Sequence, residues 1–209
     1  MTFVKICGIT NLDDALAAID AGADALGFNF YEPSPRYIAP QLARKIIEQL
    51  PNSVLKVGVF VNEESPEVVR KIAEEAGVKA LQLHGDESPD CCRELRKFHE
   101  VIKTFAVSHD FDLQLLDRYQ VDAIMLDTKH NSLRGGTGRA FDWSIVQQVS
   151  KIVSKLYLAG GLSPENVGEA IETVRPFAVD ACSALEAMPG QKNHERMRAF
   201  VTAVRSVKT

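Results

Sequence analysis

No stretch of this sequence stays apolar over the ~20 residues that a membrane-crossing helix needs; its apolar runs are short and broken by charged residues. Long runs of one charge are also missing, and the formal net charge is only −4. Nucleic-acid binding leaves a basic footprint, so that class is excluded, and an anionic ligand has to be recognised locally. Cysteine is scarce: Cys7, Cys91, Cys92 and Cys182, with no CxxC spacing. That argues against both a disulfide framework and a zinc site, and most of these cysteines read as small buried residues. His99, His109, His130 and His194 fall in expected helices or loops, and no histidine pair has metal-ligand spacing. The opening Met1-Thr2-Phe3-Val4-Lys5 lacks a basic region followed by an apolar run, so the expectation is no signal peptide and a cytoplasmic location.

What the chain does have is a repeat. Short apolar, β-branched runs occur at 3–7, 25–30, 54–61, 80–83, 101–107, 122–127, 156–159 and 177–181. Between them lie amphipathic stretches at helical spacing, at 13–21, 40–49, 66–76, 89–98, 142–153, 164–174 and 194–204. The stretch 111–119 carries the weakest helical pattern and reads as a short helix or an irregular link. Ser65-Pro66, Ser88-Pro89 and Ser163-Pro164 each put a capping hydroxyl before a proline suited to a first helical turn. Gly22 and Gly77 stand where helices should stop.

Eight strand–helix units in 209 residues give about 26 residues per unit, the scale of a compact (β/α)8 barrel. Hydrophobic residues make up 45% of the chain, enough for the core such a barrel needs. The expected fold is one α/β domain over 1–209, a TIM barrel of eight parallel strands. The alternative is an open doubly wound sheet. The first strand is not followed by GxGxxG, which counts against dinucleotide binding there.

In such a barrel the C-terminal ends of the strands carry the chemistry. Those ends hold Cys7-Gly8, Asn29 with the loop to Arg36, Gln82-Leu83-His84-Gly85, Asp127, Gly160-Gly161 and Asp180-Ala181-Cys182-Ser183-Ala184. Taken singly, each has an ordinary reading. Cys7 reads as a buried strand cysteine, Asp127 as a cap or a partner of Lys129, Arg36 as a solvated loop residue and Gly160-Gly161 as a tight turn. One feature separates Asp127: it closes the otherwise apolar run Ala123-Ile124-Met125-Leu126, surroundings that raise a carboxyl's pKa and suit a general acid.

The motifs together are more specific. Lys5-Ile6-Cys7-Gly8-Ile9-Thr10, Pro33-Ser34-Pro35-Arg36-Tyr37, Gln82-Leu83-His84-Gly85, Gly135-Gly136-Thr137-Gly138 with Phe141-Asp142-Trp143, Leu158-Ala159-Gly160-Gly161-Leu162 and Val179-Asp180 span nearly the whole chain. In residues and order they resemble the phosphoribosylanthranilate isomerase family. The resemblance implies an Amadori rearrangement of an aminoaldose phosphate to an aminoketose phosphate, in tryptophan biosynthesis, with no cofactor and no metal. It implies Cys7 as general base and Asp127 as general acid, facing each other across the mouth from strands one and six. Arg36 would hold the anthranilate carboxylate, since a guanidinium fork matches a carboxylate with two parallel hydrogen bonds. Backbone N–H groups of Gly160, Gly161, Cys182, Ser183 and Ala184 would hold the phosphate. His84 would either bind substrate or satisfy a strand-end hydrogen bond. Lys5, on the same strand face as Cys7, is a candidate electrostatic helper for the thiol. The Gly135–Gly138 segment reads as a loop over the site or as plain loop.

The sequence departs from the family at one place. Where relatives usually read Asp-Val-Ser-Ser-Gly, this chain has Asp180-Ala181-Cys182-Ser183-Ala184. Alanine at 184 lacks glycine's freedom to adopt positive φ, but the backbone donors survive, so phosphate binding need not be lost and only the details of the loop are open. The partner implied is a small-molecule substrate, with a monomer or homodimer as the assembly. Two other functions remain open on sequence. One is an epimerase or aldolase of sugar phosphates; an aldolase would need a Schiff-base lysine on a strand, and besides Lys5 only Lys103 is a tempting one. A non-enzymatic sensor on a decayed barrel should have lost Cys7, Asp127 or Arg36, and all three stand.

Overall fold

The computed structural model describes residues 1–107, 111–127 and 143–207. Eight parallel strands close into a barrel: β1 Phe3–Cys7, β2 Ala25–Asn29, β3 Leu55–Phe60, β4 Ala80–Leu83, β5 Glu100–Ala106, β6 Ala123–Asp127, β7 Leu156–Ala159 and β8 Ala178–Ala181. β8 pairs back onto β1, with Lys5 beside Asp180 and Ile6 beside Ala181. The helices are α1 Leu12–Asp20, α2 Pro40–Ile47, α3 Pro66–Ala76, α4 Pro89–Leu95, α5 Trp143–Ile152, α6 Val167–Val174 and α7 His194–Ser206. Among the described residues no helix is long and apolar enough to cross a membrane.

The strands carry side chains on two faces, and both are used. Outward residues such as Ile6, Leu26, Phe28, Leu81 and Leu126 are buried under the helices. Each such burial contributes about 1.5–3 kcal/mol relative to exposure, so this layer is the main source of stability. Inward residues Ala25, Val57, Ala80, Ile102, Met125, Tyr157 and Ala178 form a second, smaller cluster inside the barrel. Its floor is closed by Phe3, Tyr157 and Phe177, whose rings pack together. Alternation then sorts the upper inward positions: Lys5 and Asp180 in mid-barrel, and Cys7, Asn29, Gln82, Thr104 and Asp127 at the mouth.

The helix starts follow the capping chemistry in most places. The Ser65 hydroxyl accepts from Val68 N at 3.4 Å and that of Ser88 from Cys91 N at 3.2 Å, each followed by proline in the first turn. Gly77 ends α3 at φ 80°, a conformation that costs glycine little. Ser163-Pro164 departs from expectation, because α6 starts at Val167. The Ser163 hydroxyl instead accepts from Glu165 N. Asn166 accepts from Ser163 N and donates to Gly161 O, which winds 163–166 into a separate turn. The weak segment 111–119 holds a 3-10 helix, Leu113–Arg118, begun by the Asp112 carboxylate accepting from Gln114 N.

The sequence pattern missed an antiparallel hairpin after β8: β9 Glu186–Met188 and β10 Gln191–Lys192, turning at Gly190 with φ 81°. Buried Asp14 on α1 ties it down, accepting from Lys192 N at 2.8 Å while its second oxygen meets His194 Nε2 at 2.8 Å. The end of the chain is thereby stitched to its beginning, and the hairpin is fixed beside the barrel mouth.

Candidate active site

A cavity of about 740 Å³ opens at the C-terminal ends of the strands, within the usual size of a small-molecule site. Cys7, Arg36, His84, Asp127, Gly160, Gly161, Asp180, Cys182, Ser183 and Ala184 all line it. These ten residues are thus brought to one place. The Gly135–Gly138 segment, Lys129, His109 and His130 lie outside the described residues.

Cys7 closes β1, and its room comes from a missing side chain next door. A β-carbon on Gly27 of β2 would stand 2.7 Å from Cys7 Sγ and 3.1 Å from Lys5 Nζ. Lys5 is fully buried and pairs with Asp180 at 2.8 Å. Burial alone would lower the Lys5 pKa, but the negative charges of Asp180 and Cys7 outweigh it and hold the ammonium form. Burial pushes the Asp180 carboxyl up to about 6 in spite of Lys5. Cys7 is drawn well below the ordinary thiol value, first by a hydrogen bond from Cys182, against burial, and then by Lys5 and Lys192. The same bond, with burial, pushes the Cys182 thiol up. The two sulfurs are thereby shifted apart, Cys7 toward the thiolate form and Cys182 toward the thiol.

Asp127 ends β6, and its Oδ2 lies 3.4 Å from His84 Nε2. His84 Nδ1 is 2.9 Å from the Gln82 amide nitrogen. An amide nitrogen can only donate, so Nδ1 accepts and the Nε2 hydrogen faces Asp127. His84 is therefore a neighbour of the carboxyl, a placement the sequence did not indicate. Gln82 Oε1 and Thr104 Oγ1, buried in the floor of the mouth, have no hydrogen-bond partner among the described residues.

Arg36 sits on the loop after β2, which Ser34 and Asn29 brace. The Ser34 hydroxyl accepts from Arg36 N and from the Asn29 amide. Its guanidinium is held side-on by Glu186: Nε to Oε1 at 2.8 Å and Nη2 to Oε2 at 2.7 Å. That pairing uses one edge of the fork and leaves the edge bearing Nη1 for a second carboxylate. Glu186 also accepts from Lys192 Nζ at 3.1 Å. Burial would raise the Glu186 pKa, but Arg36 and Lys192 outweigh it and keep the carboxylate ionised. Gly8, with φ +80°, has to be glycine, since a β-carbon there would stand 2.9 Å from Arg36 Cδ and 3.0 Å from Cys182 Sγ.

Gly160 and Gly161 take φ 97° and 77° at the end of β7. Ser183–Leu185 forms a 3-10 turn after β8. Ala184 does not need the glycine expected there. The non-glycine residues with positive φ are Asn62 and Arg175 among those described, so Ala184 carries no left-handed strain. Its carbonyl accepts from Arg196 Nε at 2.6 Å, which pins the turn to α7.

Lys103 is placed away from the cavity. It is buried on β5, donating to Leu83 O, Gly85 O and the Glu87 carboxylate at 3.4, 2.6 and 2.8 Å. Every ammonium hydrogen is used, so this lysine is unsuited to forming a Schiff base.

Residues 4–203 match the family described as N-(5′-phosphoribosyl)anthranilate (PRA) isomerase. The chain belongs to the phosphoribosylanthranilate isomerase family. It is 48% identical to the Thermotoga maritima enzyme of that name over 201 residues, covering 96% of this chain and 97% of the relative. It is 46% identical to the Geobacter sp. (strain M21) enzyme, covering 99% and 100%. A crystal structure of the Thermotoga maritima isomerase matches with a TM-score of 0.90 at 47% identity, over 98% of this chain and 99% of that one. A phosphoribosyl anthranilate isomerase crystallised with reduced 1-(o-carboxyphenylamino)-1-deoxyribulose 5-phosphate matches at 0.88 and 44% identity, over 98% and 99%.

Proposed function

We propose that this chain, acting as one (β/α)8 unit in the cytosol, converts N-(5′-phosphoribosyl)anthranilate to 1-(2-carboxyphenylamino)-1-deoxyribulose 5-phosphate in tryptophan biosynthesis. The observation that carries the reading is a thiol, Cys7, and a carboxyl, Asp127, lining one mouth from strands three steps apart. A relative crystallised with the reduced product analogue supports it.

In this reading Asp127 protonates the ribose ring oxygen, the C1–O bond breaks, and the anthranilate nitrogen supplies the electrons to form a C1 iminium. Cys7 then takes the C2 proton, and the electron pair left behind neutralises the iminium to give an enolamine. Tautomerisation delivers a proton to C1 and the ketone at C2. A Cys7 thiol held well below its ordinary value favours the base form that this step needs. The free edge of Arg36 holds the anthranilate carboxylate. Backbone N–H groups at 160–161 and 182–184 hold the phosphate. Gln82 and Thr104 are positioned to meet sugar hydroxyls. The aldolase alternative is disfavoured, because Lys103 is spent on Leu83, Gly85 and Glu87 and Lys5 is buried against Asp180.

The test is to mix the purified chain with freshly made phosphoribosylanthranilate and follow loss of anthranilate-type fluorescence. Wild type should turn over. Cys7→Ala and Asp127→Asn should each lose about 10²–10⁴-fold in kcat, the usual share of one general acid or base. Inactive wild type sinks the function. Undiminished variants sink the residue roles alone.

A further inference from the structure

We propose that Cys7 and Cys182 form a peroxide-reactive dithiol, in which oxidation of Cys7 is captured by Cys182 as a disulfide joining β1 to the end of β8. The disulfide follows from geometry alone; its effect on activity rests on the proposed role of Cys7 as base.

The register supplies the geometry. β1 and β8 set Lys5 beside Asp180 and Ile6 beside Ala181, so the next neighbours are Cys7 and Cys182. Adjacent parallel strands lie about 4.8 Å apart, and a disulfide spans Cα separations of roughly 4.4–6.8 Å. Alternation puts both side chains on the inward face with Lys5 and Asp180, and both line the cavity. Glycines 8 and 27 leave the space the sulfurs occupy.

The surroundings supply the reactivity. A thiolate is the nucleophile in thiol oxidation, and nearby cations favour it. Lys5 lies against Cys7, and Lys192 Nζ is 3.8 Å from Cys182 Sγ. The other two cysteines make a contrast within the same chain. Burial raises both Cys91 and Cys92, the latter fully buried on α4, and keeps them as thiols.

Hydrogen peroxide is the oxidant, small enough to reach a sulfur at the base of the cavity. The Cys7 thiolate attacks one peroxide oxygen. An S–O bond forms, the O–O bond breaks and hydroxide leaves, so sulfur is oxidised to the sulfenic acid and peroxide is reduced. Cys182 sulfur then attacks Cys7 sulfur. The S–S bond forms, the S–O bond breaks, and the departing hydroxide takes the Cys182 proton as water. A dithiol reductant reverses the change.

The experiment treats the whole chain with hydrogen peroxide and maps its cysteines by mass spectrometry, with and without the sulfenic-acid trap dimedone. Wild type should lose two hydrogens and yield a Cys7–Cys182 cross-linked peptide. Isomerase activity should fall at least 10-fold and return with dithiothreitol. Cys182→Ser should give no cross-link and a dimedone adduct on Cys7. Wild type that keeps both thiols, or that carries Cys7 to the adduct or the sulfinic acid beside an untouched Cys182, overturns the proposal, as does a cross-link through Cys91 or Cys92. A chain that forms the cross-link but never converts phosphoribosylanthranilate removes the functional reading and leaves this one standing. An active enzyme whose two thiols survive peroxide does the reverse.

Discussion

Replacing Lys5 with methionine separates the electrostatic contribution to Cys7 from everything else in the site. Lys5 Nζ and Cys7 Sγ stand 3.1 and 2.7 Å from a common point, the β-carbon position of Gly27. They are therefore no more than about 6 Å apart, where unit charges interact by roughly 3 kcal/mol at an effective dielectric of about 20. Asp180, bonded to Lys5 at 2.8 Å, cancels part of that attraction. Offsetting about half leaves ~1.5 kcal/mol, which is close to a tenfold change in thiolate population. The assay is the rate at which iodoacetamide alkylates Cys7, followed on the Cys7 peptide at a pH below the wild-type midpoint, where rate is proportional to thiolate fraction. Lys5→Met should react about 10-fold more slowly. The same change strands the buried Asp180 carboxylate, at a cost of about 3–5 kcal/mol. The unpaired carboxyl's native pKa lies above its unfolded value, so the native state binds the extra proton. The destabilisation should therefore be larger at about pH 8 than at about pH 5, read by urea unfolding. An alkylation rate within about twofold of wild type would show that Lys5 does not set the thiol's reactivity.

Glu186→Gln keeps the shape of the Arg36 clamp but removes its charge; KM should rise roughly 10-fold, about 1.4 kcal/mol, with kcat little changed. A fall in kcat at constant KM would place Glu186 in the chemistry and not in anchoring. Burial holds the Cys92 thiol up to about 12, above its unfolded value of about 8.5. Its contribution to stability is whole below about pH 8.5 and is lost as pH rises toward about 12, by roughly 1.4 kcal/mol per pH unit. Cys92→Ala should lack that alkaline slope in unfolding experiments, whereas parallel slopes would contradict the assignment.

The barrel was legible because its strands are short apolar runs separated by capped helices, signals that are local in sequence. Leu156–Ala159 and Pro66–Ala76 fall where the pattern put them. The start of α6 was misread because Asn166 competes with Ser163 for the backbone and winds a turn first. Cys7, Arg36 and Asp127 were found by residue type at strand ends and by family motif. Glu186 and Lys192 were not, because they lie on a short hairpin with no periodicity, and their role arises only when that hairpin folds back over Arg36. Cys182 was read for its backbone N–H; the contact of its sulfur with Cys7 depends on the β1–β8 register, which closes the barrel and joins residues remote in sequence. The same limit applied to Ala184, whose turn turned out to need no left-handed residue.

The most direct test of the central claim is a crystal structure of this chain with reduced 1-(o-carboxyphenylamino)-1-deoxyribulose 5-phosphate. Cys7 Sγ should lie against C2 of the sugar chain, with an Asp127 oxygen within hydrogen-bonding distance of the C4 oxygen and the free edge of Arg36 on the carboxylate. A ligand seated with both Cys7 and Asp127 on the same side of the sugar, or with either group out of reach of it, would contradict the account.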